Sequence, residues 1–170
     1  MTEPSEPLAA TPRRPADFHE KERHYATVGM LASKWAAFEI FIDIFTLELG
    51  RLPRNIGLCL TAQVIGPSRK FDAYIAVANE REISERDRKD LLKIRTDALE
   101  LGERRNRAIH DPWTIVDGIP ERMEITARRA LNAGAVKVST KSIGALIDEI
   151  DKCQNRFKAL HRKLLADGGT

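Results

Sequence analysis

The sequence predicts a mainly helical protein, a four-helix bundle with a small β-hairpin or meander inserted between the third and fourth main helices. Three observations support this fold class. Apolar residues recur in alternating steps of three and four along two long segments, one towards each end of the chain, as in amphipathic helices. Hydrophobic residues make up 42% of the 170 residues, which is enough apolar material for one core. Short segments late in the chain favour strands instead.

The chain is predicted to divide into a tail and one domain. Residues 1–16 hold four of the eight prolines. A segment of this composition does not bury enough apolar surface to fold, so we expect a disordered N-terminal tail. Residues 17–170 have the length of one domain and are predicted to form a single helical bundle.

Composition bounds the partners and the compartment. The net charge of +3 permits binding to a polyanion without arguing for it, because charges of both signs alternate along the helices. Cys59 and Cys153 match no metal-ligand spacing, so we expect two reduced, buried thiols and neither metal nor cofactor. The N-terminus does not resemble a secretory signal, and no apolar run reaches the ~20 residues of a membrane helix. A cytoplasmic protein without membrane contact is expected.

The first helix is predicted from about Asp17 to Gly50. Gly50 is a plausible helix stop, and Pro53 follows it. A helix of thirty residues would be roughly 45 Å long and needs equally long partners. Its apolar positions form one seam close to a heptad pattern: Val28, Leu31, Trp35, Phe38, Ile42, Phe45 and Leu49.

The second and third helices follow in residues 54–110. Residues 54–80 are predicted as one helical region that is broken or kinked at Gly66-Pro67. Ser84 is a good N-cap for the third helix, which should end near His110 because Pro112 disfavours helical geometry at the residue before it. The buried face of this third helix contains Leu91, Ile94, Ala98, Leu101, Arg105 and Ala108.

Short strands are predicted next, before a last helix. The segments WTIVDG and RMEITARR favour strands joined by a turn at DGIP, and AVKVS favours a third strand. The last helix is predicted from about Lys141 to Ala166. Its seam again steps by three and four: Ile143, Leu146, Ile150, Cys153, Phe157, Leu160 and Leu164.

The segment ERRNRAIHDPW, residues 103–113, carries the chemistry of interest. The planar guanidinium of Arg105 suits a phosphate, and the imidazole of His110 exchanges protons near neutral pH. Asn106 lies four residues before His110, on the same side of the helix, where its amide could orient the imidazole or hold a substrate oxygen. An arginine and a histidine suffice to cleave RNA through its 2′-hydroxyl without a metal.

Helical geometry sets a limit on this site. Five helical steps from Arg105 to His110 leave the two residues about 140° apart around the axis. Fraying of the last turn before Pro112 would bring them closer. A second copy of the chain would supply the missing half of the site and a second histidine, so a symmetric homodimer is expected.

The arrangement of Arg105, Asn106 and, after three more residues, His110 resembles the signature of the HEPN superfamily. In that family an arginine and a polar residue precede a histidine late in a helix of a four-helix bundle. The order of predicted helices is similar over most of residues 18–166, whereas the amino acids themselves match only in the short motif. Family members are typically dimers whose motifs meet, and many are metal-independent endoribonucleases in toxin–antitoxin, phage-defence or RNA-processing systems. The resemblance implies that Arg105 and His110 are catalytic, Asn106 is supporting, RNA is the substrate, and an antitoxin or other regulatory protein is a partner.

Other residues near the motif have two interpretations each. Glu39 lies beside the seam of the first helix and is predicted to contact Arg105 or a neighbouring arginine, either to orient it for catalysis or only to neutralise it. Arg104 and Arg107 could follow an RNA backbone or be solvated. Trp113 could stack on a base or pack against the protein. His19, His24 and His161 are isolated in the sequence and expected at the surface.

Two further functions stay open. The first is a non-catalytic HEPN-like module that binds a nucleotide, an RNA or a protein partner in the same groove. The second is a purely structural dimer, in which Arg105 pairs with a carboxylate and His110 caps helix carbonyls.

Overall fold

A computed structural model of the protein describes residues 16–126 and 131–167. Within them the fold is mainly helical, with a small antiparallel sheet after the fourth helix. The elements follow in the order α1 (Ala16–Gly50), α2 (Arg54–Thr61), α3 (Pro67–Glu80), α4 (Glu85–His110), β1 (Trp113–Val116), β2 (Ile119–Thr126), β3 (Asn132–Lys137) and α5 (Thr140–Asp167).

The helix boundaries follow the predictions, including the break before Pro67. The tail predicted for residues 1–16 lies outside the described residues, except for Ala16, which opens α1. The second helical region is broken, as predicted: α2 ends at Thr61, and α3 begins at Pro67 after Gly66, whose positive φ of 84° only glycine adopts readily. The helix that carries residues 103–110 is therefore the fourth helix of the chain.

Local capping fixes both ends of α4. The Ser84 side chain accepts a hydrogen bond from the Asp87 backbone N–H at 3.2 Å, as predicted for an N-cap. At the other end Asp111 is extended, with φ −75° and ψ 140°, the conformation expected of a residue before proline. The helix therefore ends at His110, and the chain turns directly into β1.

The long helices pack so that α1, α3 and α5 run in one direction and α4 runs in the other. Contacts at both ends show that α1 and α5 are parallel: His24 lies beside Thr140, and Glu48 lies beside His161. Ion pairs show that α4 and α5 are antiparallel. Arg104, near the end of α4, binds Glu149 in the first half of α5, and a residue near the start of α4 binds one near the end of α5. The second pair of this kind joins Asp87 and Lys163.

Phe157 of α5 is the centre of the core. Its ring lies 6.4 Å from Phe38 of α1, 5.2 Å from Phe71 of α3 and 4.9 Å from Tyr74 of α3. Each of these four side chains is buried, and burying one large apolar side chain stabilises a fold by roughly 1.5–3 kcal/mol. The predicted seam of α5 is confirmed at all seven positions and that of α1 at five of seven, since Val28 and Phe45 are half-buried. The buried members are Leu31, Trp35, Phe38, Ile42 and Leu49 of α1, and Ile143, Leu146, Ile150, Cys153, Phe157, Leu160 and Leu164 of α5.

The three strands form an antiparallel sheet in the order β1-β2-β3. Val116 is opposite Ile119, so the turn between β1 and β2 contains only Asp117 and Gly118. Both have positive φ, 50° and 75°, as a type I′ hairpin requires. The predicted turn at DGIP is therefore two residues too long, since its last two residues belong to β2. Residues 127–129 of the second predicted strand lie outside the described residues.

The burial of the cysteines and histidines differs in part from the predictions. Cys153 is buried as predicted, and burial raises the pKa of its thiol to about 11, but Cys59 is exposed. His19 is exposed as predicted. His24 and His161 are buried, so the prediction that they lie at the surface is wrong. Each of these two continues an apolar seam: His24 lies four residues before Val28, and His161 lies four residues after Phe157.

His161 is held in a buried hydrogen-bonded chain. Its Nε2 lies 2.9 Å from the Glu48 carboxylate, which only accepts, so Nε2 carries the proton and Nδ1 accepts from the Tyr74 hydroxyl at 3.0 Å. The imidazole also stacks on Phe45, with ring centres 4.0 Å apart. Burial lowers the pKa of His161, and Glu48 opposes this effect. Burial likewise lowers the pKa of His24 against the opposing charge of Glu20.

These pKa shifts predict a loss of stability at mildly acidic pH. The unfolded histidines take up protons near pH 6.5, whereas His24 and His161 in the folded protein stay neutral to lower pH. The free energy of unfolding should therefore fall as the pH drops below about 6.5, by at most about 1.4 kcal/mol per pH unit for each histidine. Urea unfolding between pH 8 and pH 5 measures this slope.

Two variants test the assignment. His161→Gln should reduce the slope of stability against pH, and His19→Gln, at an exposed position, should leave it unchanged. Equal slopes in both variants and in the wild type would contradict the assignment. The lowered pKa values of Asp87 and Glu149 act near pH 4, below this window.

A pair of glycines predicts opposite effects on stability. A Cβ on Gly57 of α2 would overlap the Leu47 side chain of α1, with the Leu47 Cγ at 3.0 Å, whereas a Cβ on Gly144 of α5 would meet open space. Gly57→Ala should destabilise the fold by roughly 1–3 kcal/mol, and Gly144→Ala should stabilise it by up to about 1 kcal/mol. Thermal unfolding of both variants measures this, and a stabilised Gly57→Ala would contradict the described packing of α2 on α1.

Candidate functional site

The last two turns of α4 extend beyond the start of α3. The first residue of α3, Pro67, lies beside Gly102, since a Cβ on that glycine would be 3.9 Å from the Pro67 Cγ. The two helices are antiparallel, as Arg95 binds Asp72 and Ser68. Residues 103–110 therefore continue for roughly 12 Å past the N-terminus of α3, and these are the turns that carry the predicted motif.

Arg105 and Asn106 form a local pair on this segment. The Arg105 Nη1 donates a hydrogen bond to the Asn106 Oδ1 at 2.9 Å. Arg105 is half-buried, with its Nε fully buried and without a hydrogen-bond partner, while Asn106 is exposed. The amide of Asn106 thus orients the guanidinium, whereas the sequence had suggested the imidazole or a substrate oxygen.

His110 is exposed at the C-terminal end of the helix. The helix stays regular up to this residue, so the fraying that would bring His110 towards Arg105 does not occur. The two side chains remain about 140° apart around the helix axis. One chain therefore presents a half-buried guanidinium and an exposed imidazole on different sides of the same turns.

Glu39 has a different partner from the arginine that the sequence predicted. Its Oε1 accepts a hydrogen bond from the Trp35 Nε1 at 2.7 Å, and no ion pair among the described residues joins it to an arginine. The Trp35 ring in turn lies against Gly102, 3.0 Å from where a Cβ would be. Glu39 thus supports the helix that carries the motif through the indole of Trp35.

The arginines that flank the motif are both neutralised by carboxylates. Arg104 binds Glu149 of α5 through two hydrogen bonds of 2.5 and 2.9 Å, and this contact lowers the pKa of the Glu149 carboxyl. Arg107 lies 3.6 Å from Asp111 and 3.5 Å from Glu124. Each predicted RNA-binding arginine therefore already has an acidic partner within the protein.

Arg107, Asp111, Arg122 and Glu124 form a closed group of alternating charge, which we call the ion-pair ring. Arg122 of β2 lies 3.4 Å from Asp111 and 3.1 Å from Glu124 and closes the ring. The Arg122 Nε and the Asp111 Oδ2 are buried and not aligned as a hydrogen bond, so their contact is an ion pair. The ring fastens the residue after His110 to the sheet.

Trp113 packs against the protein. Its indole Nε1 donates to the Ala108 carbonyl at 2.8 Å, and its ring lies 4.3 Å from the imidazole of His24. His24 faces Thr140 at the start of α5, with the Nδ1 and the Oγ1 3.3 Å apart, while its Nε2 is buried without a hydrogen-bond partner. The start of α5, the first turns of α1 and the end of α4 therefore meet at the sheet.

In comparisons with known proteins, no protein-family model, curated protein or solved structure matches the chain. Among residues 16–126 and 131–167, no three or more His, Cys, Asp or Glu side chains are grouped as metal ligands. None of the helices described combines the length and apolar composition that a membrane crossing requires.

The ion-pair ring predicts a local effect of Arg122. Its side chain is only 15% exposed, so Arg122→Ala leaves Asp111 partly buried with a single cation, at a cost of roughly 1–3 kcal/mol. We expect faster hydrogen exchange of the β1 and β2 amides. Glu121→Ala, on the opposite face of β2, is the matched control. Unchanged exchange in Arg122→Ala would show that the ring does not hold the sheet.

Proposed function

We propose that the protein is a metal-independent endoribonuclease of HEPN type, with Arg105, Asn106 and His110 as its site. One observation carries the proposal. The three residues lie on the turns of α4 that extend past α3, where Asn106 orients the Arg105 guanidinium and His110 is exposed. In this proposal α1, α3, α4 and α5 are the four main helices of the HEPN bundle, and α2 is a connecting helix.

The roles follow from the chemistry of each group. His110 acts as general acid or base: one imidazole takes the proton of the ribose 2′-hydroxyl, and a proton returns to the leaving 5′-oxygen. The 2′-oxygen forms a bond to phosphorus as the bond to the 5′-oxygen breaks. Arg105 stabilises the charge that develops on the phosphate oxygens. The products are a 2′,3′-cyclic phosphate and a 5′-hydroxyl.

A homodimer completes this site in the proposal. Arg105 and His110 of one chain point about 140° apart, and two proton transfers are served best by two imidazoles. A second copy that brings its own α4 end to the first would supply both. Because Arg104 and Arg107 already bind carboxylates, the phosphate contact falls on Arg105, with Glu39 supporting α4 through Trp35.

The proposed setting is a cytoplasmic toxin or phage-defence effector whose activity an antitoxin or other regulatory protein controls. This part of the proposal rests on the resemblance of the motif to that of the HEPN superfamily, in which toxins and defence effectors are frequent. RNA is the substrate.

A second candidate is a non-catalytic HEPN-like module that binds a nucleotide, an RNA or a protein partner. The observation in its favour is that Asn106 already occupies the Arg105 guanidinium and that His110 lies on another side of the helix. Such a module would use the exposed Asn106 and His110 for recognition without turnover.

Cleavage of end-labelled RNA by the purified protein, with and without a chelator, tests the proposal. We expect cleavage that the chelator does not reduce, with cyclic phosphate ends. Arg105→Lys keeps the charge but loses the planar fork, and His110→Gln loses the proton transfer, so each should slow cleavage by about 100-fold or more.

Arg162→Lys and His19→Gln are the matched controls, since both residues are exposed elsewhere on the surface. The nuclease proposal fails if diverse RNAs stay intact, or if the site variants cleave RNA and inhibit growth on expression as the controls do. Binding of RNA or nucleotide without cleavage, lost in His110→Gln, would support the second candidate instead.

A further inference from the structure

The short helix α2 and the loops on either side of it expose aliphatic side chains. Of the eight residues of α2, only Gly57 and Thr61 are buried. Ile65, in the loop that follows, is 80% exposed, and Leu60 and Ile56 of the helix are 58% and 55% exposed. We call this region the α2 surface; it consists of the exposed Leu52, Ile56, Leu58, Leu60 and Ile65, together with Arg54 and Arg69.

The α2 surface points away from the bundle. Gly57 faces α1, because a Cβ at that position would overlap a side chain of α1. Cys59 lies about 200° around the helix axis from Gly57, on the outer side, and it is exposed. Ile56, Leu58 and Leu60 lie within about 100° of Cys59 around the axis. The aliphatic side chains of α2 therefore share its solvent-facing side.

The charges in this part of the chain all have one sign. Residues 49–71 contain four cations and no acid, although Asp and Glu make up 25 of the 170 residues. Arg54 of α2 and Arg69 of α3 are exposed, and neither has an acidic partner among the described residues. Lys70 is bound to Asp43 and adds no free charge. The α2 surface thus combines protruding aliphatic side chains with two free cations, one near each end.

We propose that the α2 surface binds an anionic lipid bilayer. The exposed aliphatic side chains enter the boundary between head groups and acyl chains, where burial of apolar surface drives binding. Arg54 and Arg69 contact the phosphate groups of the anionic lipids, since the negative potential of such a surface attracts basic residues. The contact is peripheral, so it needs no membrane-spanning helix.

The shape and charge of the α2 surface favour a bilayer over other partners. A protein interface depends on complementary shape, whereas a bilayer accepts protruding side chains in any arrangement. A second copy of the chain would meet the surface with cations of the same sign, which opposes association. RNA is bound through cations together with polar or aromatic side chains, and the α2 surface has no aromatic residue. Aliphatic side chains with unpaired arginines match the chemistry of anionic lipids.

Co-sedimentation of the full chain with lipid vesicles tests the proposal. Vesicles of phosphatidylcholine alone are compared with vesicles that also contain about 30% phosphatidylglycerol. We expect the wild type to bind the anionic vesicles more tightly by about tenfold or more, because only these attract the arginines. The binding should weaken as the salt concentration is raised to about 1 M, which screens the charges.

Variants of the aliphatic side chains test the apolar part of the contact. Ile65→Ser and Leu60→Ser should each weaken binding to the anionic vesicles by roughly fivefold or more, because less apolar surface is buried in the bilayer. Leu131→Ser, at a position 75% exposed beside the sheet, is the matched control and should bind as the wild type does. Circular dichroism and thermal unfolding confirm that each variant folds.

Variants of the arginines test the electrostatic part. Arg54→Gln and Arg69→Gln should each weaken binding to the anionic vesicles by roughly fivefold. Arg162→Gln removes an exposed arginine of α5, and it should leave the binding unchanged because α5 is not part of the contact.

A fluorophore on Cys59 reports the contact directly. Cys59 is exposed whereas Cys153 is buried, so a thiol-reactive, environment-sensitive dye labels Cys59 in the folded protein. Because Cys59 lies on the outer side of α2, the emission of the dye should shift to the blue on addition of the anionic vesicles. Vesicles of phosphatidylcholine alone should leave the emission unchanged.

Three outcomes would overturn the proposal. The first is a wild type that does not bind the anionic vesicles or binds both kinds equally. The second is that Ile65→Ser and Leu60→Ser bind as tightly as Leu131→Ser, because net charge alone then explains the adsorption. The third is a lower sedimentation mass of Ile65→Ser than of the wild type without lipid, which would assign the surface to a contact between copies.

The membrane contact goes beyond the proposed nuclease. It uses none of Arg105, Asn106 and His110, and its readouts are binding and fluorescence. Cleavage of RNA by the same variants is scored separately, so failure of the nuclease proposal leaves the result for the α2 surface unaffected.

Discussion

The burial of the Phe157 ring against helices α1 and α3 is the interaction on which the rest of the fold depends. It ties α5 to Phe38 and to the pair Phe71 and Tyr74. Helix α3, which Phe157 contacts, has 14 residues, whereas its antiparallel neighbour α4 has 26. Because α3 starts at Pro67, beside Gly102 of α4, the last turns of α4 extend past the start of α3. The exposure of Asn106 and His110 is therefore a consequence of the unequal lengths of α3 and α4.

The sheet is more than a connection between α4 and α5. The ion-pair ring binds Asp111 to β2, and Trp113 joins β1 both to the end of α4 and to His24. These contacts act on the residues that directly follow His110. The sheet therefore fixes the end of the helix that carries residues 103–110. A rigid helix end favours a preorganised site, since catalysis depends on groups held in place before the reaction.

Helix α1 is apolar on two opposite sides. One side supplies the inner seam, with Trp35 and Phe38 in the core. The other carries Met30 and Ile40 at the surface, beyond the reach of α2. Within the described residues, this helix of 35 residues is therefore covered on its inner side and only partly on its outer side. In the proposed function a second copy would complete the site, because Arg105 and His110 of one chain face different directions.

The sequence by itself determined the elements whose signals are local. Periodicity predicted α1, α4 and α5, and the stop at His110 followed from Pro112, because capping and backbone sterics act over a few residues. The type I′ turn likewise follows from its own two residues. The sequence also located the candidate motif in residues 103–113, but it did not identify which side chains the motif residues contact.

Only the tertiary structure decided the partners. Arg104 binds Glu149, which lies 45 residues further along the chain, and His24 and His161 are buried because other helices pack over them. Glu39 binds Trp35, one turn earlier in the same helix, because no arginine is packed within ion-pair distance of it among the described residues. A position on an apolar seam is buried only where another helix covers it. His24 and His161 were therefore expected at the surface, although both continue a seam. Periodicity fixes the angle of a side chain around its own helix, whereas the identity of its neighbour depends on how the helices pack.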